Sequence, residues 1–263
     1  MYLQDYYDFV TETAFLAGRL TLGYFQSGTR PDLKPDDTPV TIADRQAEEL
    51  IRARIMARYP DHAIVGEEFG VEGAGRATHR WFIDPIDGTK AFVRGVPLYA
   101  VLIGLEIEGV VEVGVAYFPV LDEMLAAATG YGCWWNGRRA HVSAESNLAR
   151  AYVSCTDPGG FIKYNRQGAW ERLQGAVYHR AGWSDAYGYL LAATGRIEVM
   201  LDPIMSAWDC APFPAIFREA GGYFGDWHGN ETIYAEEGLA TTPALLPQVL
   251  ALLEPATDRE PVN

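Results

Sequence analysis

The stretch WFIDPIDGTKAF, residues 81–92, limits the fold more than any other part of the chain. An apolar run, Trp81 to Ile83, leads directly into two aspartates three residues apart, Asp84 and Asp87, with Pro85 between them and Gly88 after them. The run reads as a buried strand over THRWFID, ending at Asp84, so the acids lie at the rim of a sheet. Pro85 fixes one backbone angle and lacks an N–H, which stiffens the segment. An extended DPxD turn can send both carboxylates toward a common point, with the Ile86 peptide carbonyl as a third hard oxygen. Gly88 and Thr89 then offer backbone N–H groups to an anion, at a helix start or in a backbone nest. Asp and Gly are also common turn formers, so the segment in isolation reads equally well as a plain turn.

Further acids cluster where elements end. Glu67 and Glu68 end the expected strand HAIVGEE, residues 62–68, and also read as a solvated strand end. Asp44 lies three residues after Thr41, a spacing that equally makes a capping box. Asp209, with Pro212 after it, reads either as a ligand or as a helix N-cap. The five histidines and three cysteines share no ligand spacing, so thiolate zinc sites and disulfide frameworks are not expected. An all-oxygen donor set suits hard cations, Mg²⁺ above all. The net charge of −14 repels a phosphate backbone and argues against nucleic acid; bound cations would still admit a small anionic substrate.

The remaining pattern is mixed α/β. Leu3, Val10, Ala17 and Tyr24 recur every seven residues and predict a helix ending near Gly28. RPDLKPDDTPV reads as a loop, and a second helix runs from Thr41 to just before Pro60. From Tyr99 a β-meander follows, with a tight turn at Asn136-Gly137. Beyond it the reading gives a strand at 151–155, a helix at 185–194, a strand at 197–201, a helix from Asp209 to Ala220, then a strand and a terminal helix. The tail EPATDREPVN is expected to fray. The N-terminus carries acids where a signal peptide needs bases, and no apolar run approaches ~20 residues, so neither export nor membrane insertion is expected. The cysteine usage fits a reducing, cytoplasmic setting. A single domain over 1–263 is expected, with lobes 1–147 and 148–263.

GEE at 66–68, WFIDPIDGT at 81–89 and WDCAPFPAIFREAGG at 208–222, in this order, resemble the Mg²⁺-dependent, lithium-sensitive inositol monophosphatase superfamily. The resemblance covers residues 5–253. It implies the layered αβαβα sandwich of the inositol monophosphatase and fructose bisphosphatase type, commonly homodimeric, with two to three Mg²⁺ per site. By the resemblance, Glu67, Asp84 and the Ile86 carbonyl hold one ion, and Asp84, Asp87 and Asp209 a second, with a weaker third near Glu67 through water. Gly88 and Thr89 match phosphate-contacting positions, Thr89 with Asp44 the pair that orients and deprotonates the attacking water, and Glu68 a supporting position. KPDDTPVTIADRQAEE, HAIVGEEFG and DPIDGTKAFVRGVPL look most like the histidinol-phosphate phosphatase branch, in histidine biosynthesis. That branch implies a cationic, imidazole-bearing leaving group, for which Asp185 and Asp202 are the candidate acids. Around WSDAYGYLL the chain departs from the branch: Trp183 and Ser184 stand where it has a small, glycine-rich pair, so an indole is expected to line or narrow the pocket. Inositol 1-phosphate and 3'(2'),5'-bisphosphate nucleotides are the runner-up substrates. A catalytically silent divalent-cation-binding protein is the alternative of a different class.

Overall fold

The computed structural model describes residues 2–28, 31–33, 39–73, 77–182 and 185–254. Helix α1 (Leu3–Leu22) buries Tyr6, Val10, Ala14 and Ala17, three or four residues apart, which puts them on one stripe. It ends six residues earlier than its periodicity suggests, and the chain reaches Gly28 in turns. The expected loop contains two short strands, β1 (Asp32–Leu33) and β2 (Pro39–Val40), paired antiparallel. Helix α2 (Ile42–Arg58) starts at the predicted Thr41 and buries Ala47, Ile51 and Ile55.

The chain then builds a sheet of eight strands: β3 (Ala63–Gly66), β4 (Gly70–Glu72), β5 (His79–Asp87), and, after helix α3 (Thr89–Val93), β6 (Ala100–Ile107), β7 (Val110–Phe118), β8 (Glu123–Ala128), β9 (Gly132–Trp135) and β10 (Arg138–Arg139). Their order is β10-β9-β8-β7-β6-β5-β3-β4, antiparallel except for the β3–β5 pair. Asn136 and Gly137 both have positive φ, 45° and 74°, as a two-residue hairpin turn of this hand requires. The strand expected through Glu68 stops at Gly66, so both glutamates occupy the turn to β4.

The second half gives β11 (Tyr152–Ser154), α4 (Pro158–Lys163), α5 (Gln167–Ala176), β12 (His179–Ala181), α6 (Ala186–Ala193), β13 (Val199–Asp202), α7 (Ala207–Cys210), α8 (Phe213–Ala220), β14 (Tyr223–Gly225), β15 (Gly238–Thr241) and α9 (Leu246–Leu253). Its five strands form a mixed sheet ordered β12-β11-β13-β15-β14. The single helix expected from Asp209 to Ala220 is two, α7 and α8, because Pro212 has no N–H with which to continue the helical ladder. Residues 255–263, most of the tail expected to fray, lie outside the described residues.

Strand alternation sets the layers. In β5, Trp81 and Ile83 join the core shared with α1 and α2, while Phe82 faces the opposite core with α6 and α8. That second core also takes Met200, Phe224 and Ala240 from the five-stranded sheet, whose far face holds Val153, Leu201 and Leu239 against α4, α5 and α9. The result is the expected αβαβα stack. Two glycines place its middle layer. Gly104 and Gly114 are register partners on β6 and β7, and a Cβ on either would lie 2.6 or 2.0 Å from the backbone of Ala211 or Pro212. The α7–α8 junction therefore rests directly on the sheet, which carries Asp209 to the end of β5.

Candidate metal centre

Residues three apart on a regular strand point to opposite faces. Asp84 and Asp87 nevertheless converge, because β5 does not end at Asp84 as expected but continues to Asp87 through an irregularity. Asp84 pairs with Leu102 and Asp87 with Ala100, so three steps on β5 match two on β6. The Ile86 N–H donates to Asp84 Oδ1 at 3.0 Å, locking the bulge, and Pro85 has no N–H to lose there. Asp209 arrives from α7, not as the helix N-cap but three residues after it. The cap is Ser206, whose N–H donates to Asp209 Oδ2 at 2.8 Å.

One carboxylate oxygen each from Asp84, Asp87 and Asp209 lies within 4.8 Å of the others. A cavity of about 400 Å³ opens over them, lined also by Glu67, Ile86, Gly88 and Thr89. Burial is the largest cause that raises the Asp84 pKa well above its ordinary value, followed by the charges of Glu67, Asp87 and Asp209. Burial, then Asp185 and Asp209, raises Asp87 likewise. Asp209 is pushed up to about 7, mainly by burial, although the Ser206 N–H draws it down. Acids that repel one another, Asp84 buried and Asp87 and Asp209 partly so, with oxygen donors around them, are the chemistry of a hard divalent cation site, so the residues fit such an ion.

Asp44 makes the expected capping box and also faces Thr89. It is fully buried, its Oδ2 accepts the Thr41 N–H at 2.8 Å and hydroxyl at 2.6 Å, and its Oδ1 faces the Thr89 hydroxyl at 3.4 Å. Thr89 Oγ1 also lies 3.1 Å from the Ile86 carbonyl oxygen. Gly88 opens α3 at φ 81°, a left-handed conformation that glycine adopts freely, and a Cβ there would lie 2.7 Å from Asp185 Oδ2.

Asp185 is itself held at φ 52°, ψ −144°, a strained conformation for a residue with a side chain. Its N–H donates to Thr156 Oγ1 at 3.1 Å, and the following Ala186 N–H donates to Asp87 Oδ2 at 2.7 Å. Thr156 is held by Asp202, which accepts its N–H at 2.8 Å and its hydroxyl at 3.0 Å, and Asp202 accepts the Tyr189 hydroxyl at 3.1 Å as well. Burial raises both Asp185 and Asp202 to about 6. A second cavity, of about 370 Å³, continues from Asp87 and Asp209 past Asp185 and Asp202 to an apolar wall of Pro203, Ile204, Met205 and Phe213. Trp183 lies outside the described residues. Glu68 sits beside Glu67, in the turn between β3 and β4.

Sequence reasoning did not find Thr156, Tyr189 or the Ala186 N–H. The only trace of the last is the helix start after Asp185; a backbone donor has no side chain to flag it.

The chain matches the model of the inositol monophosphatase family over residues 3–257. A histidinol-phosphatase of Chlorobaculum parvum is 44% identical over 231 residues, covering 88% of this chain and 89% of that protein. An inositol-1-monophosphatase of Mesorhizobium japonicum is 34% identical over 206 residues, 76% of each. The structure of an inositol monophosphatase from Zymomonas mobilis superimposes with a TM-score of 0.87 at 27% identity, covering 97% of this chain and all of that one.

Proposed function

The chain belongs to the inositol monophosphatase family, metal-dependent phosphatases of small phosphate monoesters, and from that premise we propose that it is a Mg²⁺-dependent histidinol-phosphatase, releasing L-histidinol and phosphate. The observation that carries the reading is the convergence of Asp84, Asp87 and Asp209 on one cavity beside Gly88 and Thr89.

In this reading Glu67, Asp84, Asp87, Asp209 and the Ile86 carbonyl hold two to three Mg²⁺, with Glu68 in support. Bound divalent ions supply Lewis acidity and offset negative charge on the phosphoryl and departing oxygens. Gly88 and Thr89 receive the phosphate through backbone amides. Thr89 Oγ1 orients the attacking water and passes its proton toward Asp44 Oδ1, the buried acceptor 3.4 Å away. Hydrolysis of phosphate monoesters is among the slowest uncatalysed reactions, so positioning of this kind must remove most of the barrier.

The second cavity supports the choice of alcohol. Asp185 offers a carboxylate to an ammonium group, and Pro203, Ile204 and Met205 offer an apolar wall to an imidazole. Asp202 lines the same cavity, its three hydrogen bonds hold the wall that carries Asp185, and with Asp185 it is the proposed contact of the leaving group. The 44% identity to a histidinol-phosphatase points the same way. Phosphate release from histidinol phosphate, inositol 1-phosphate and a 3',5'-bisphosphate nucleotide, with Mg²⁺ and with added Li⁺, tests the proposal. We expect histidinol phosphate to turn over fastest and Li⁺ to inhibit; preference for the inositol ester overturns the substrate, and absence of Mg²⁺-dependent release overturns the enzyme. A homodimer, read by light scattering, belongs to the same proposal.

A further inference from the structure

The geometry points to Glu48 as the positioning residue of the metal centre, holding the turn that presents Glu67; the inference rests on the site reading above. Glu48 lies on α2 one turn beyond Asp44, so the two acids share a helix face and reach different parts of one site. Its side chain is 0% exposed. Its Oε2 accepts the Glu68 N–H at 2.8 Å, and its Oε1 accepts the Phe69 N–H at 3.2 Å. These are the two amides that follow Glu67. On the other side, the Glu67 N–H donates to the Ile83 carbonyl of β5 at 3.1 Å. The backbone of Glu67 is thus tied to the strand that carries Asp84 and to the helix that carries Asp44.

Glu48 is locked in turn. Arg52, only 7% exposed, donates from Nε to Glu48 Oε1 at 2.7 Å, and from its two terminal nitrogens to Glu72 at 3.0 Å and to the Gly70 carbonyl. The pair spans the whole turn from β3 to β4. Gly66 confirms how closely the carboxylate is seated, since a Cβ there would lie 1.9 Å from Glu48 Oε1. A buried ion pair of this kind adds little net stability over an apolar pair of similar shape. What it supplies is a single position for the amides at 68 and 69, and so for the carboxylate at 67. Partners that orient metal ligands without touching the metal change affinity by about 10- to 100-fold.

The test is Mg²⁺ binding by calorimetry to metal-free protein, with circular dichroism to confirm folding, beside turnover measured against Mg²⁺ concentration. Glu48→Gln keeps the shape and one acceptor but removes the charge that Arg52 and two amides share. We expect it to weaken Mg²⁺ binding at least tenfold and to raise the Mg²⁺ needed for half-maximal turnover, while kcat at saturating Mg²⁺ stays within a few-fold of wild type. Arg52→Lys, which keeps the charge but not the three-way fork, should move the affinity the same way by less, and serves if Glu48→Gln does not fold. Unchanged affinity in folded Glu48→Gln, or in Arg52→Lys where it stands in, overturns the inference alone. Wild-type protein that takes up no Mg²⁺ overturns the site reading and the inference with it. A fall in kcat with unchanged affinity assigns Glu48 to a different role and also overturns it.

Discussion

At the scale of single residues, the site concentrates like charge against burial. Asp87 carries both signs of that design: burial and the charges of Asp185 and Asp209 raise its pKa, while the Ala186 N–H stabilises its ionised form. Asp87→Asn removes one charge from the repelling set and keeps an oxygen to accept that N–H. The metal-free variant should therefore unfold at a temperature no lower than wild type, while Mg²⁺-dependent phosphate release falls by at least about a hundredfold, the upper end of what loss of an outer partner costs. Mg²⁺ at ~100 times its Kd should stabilise wild type by about 2.7 kcal/mol and leave the variant unmoved. Thermal melts with and without Mg²⁺ check both; a destabilised apo variant would show that Asp87 serves the core instead. The reading of Asp44 belongs to the same scale. Its capping box and its approach to Thr89 use different oxygens of one carboxylate, so the cap leaves Oδ1 for the role proposed with Thr89.

At the scale of elements, the site depends on how closely α7 and α8 lie on the large sheet. Gly114 faces the Pro212 carbonyl with no room for a methyl group, so Gly114→Ala must displace the junction that holds Asp209. Overpacking of this sort costs about 1–3 kcal/mol. We expect a lower melting temperature together with weaker Mg²⁺ binding, although residue 114 lies on a different element from every proposed ligand. Gly175→Ala on α5 is the contrast: nothing lies within 4 Å of the added carbon, and helix propensity favours it by up to ~1 kcal/mol. Weakened Mg²⁺ binding in both variants would show that the effect is not specific to the seating of α7. The same scale explains why the sequence reading ran α7 and α8 together. The apolar spacing continues across residues 210–213, and only the missing N–H of Pro212 separates them.

At the scale of the molecule, the eight-stranded sheet uses residues before 140 and the five-stranded sheet residues after 151, yet one core cluster joins both through α6 and α8. We propose that residues 1–263 unfold as one unit and that lobes 1–147 and 148–263 do not melt separately. Calorimetry should give one transition whose calorimetric and van't Hoff enthalpies agree, and two resolved transitions would refute this. No helix among the described residues is long and apolar enough to cross a membrane. Much of this architecture was legible beforehand. The unbroken apolar run of residues 81–83 announces a strand buried on both faces, the acids at its end announce hard-cation chemistry, and the Asn136-Gly137 step announces a hairpin, because each is a local preference of side chains or of two or three dihedral angles. Which groups meet was not legible. Ala186 reaches Asp87 across 99 residues, and Glu48 reaches the amides of Glu68 and Phe69 across 20 and 21. Both contacts use backbone N–H groups, which every residue but proline carries, so no side-chain pattern marks them. By itself the sequence determined which atoms could hold a cation; only the packing of α2, α6 and α7 on the sheet decided where those atoms stand and what holds them there.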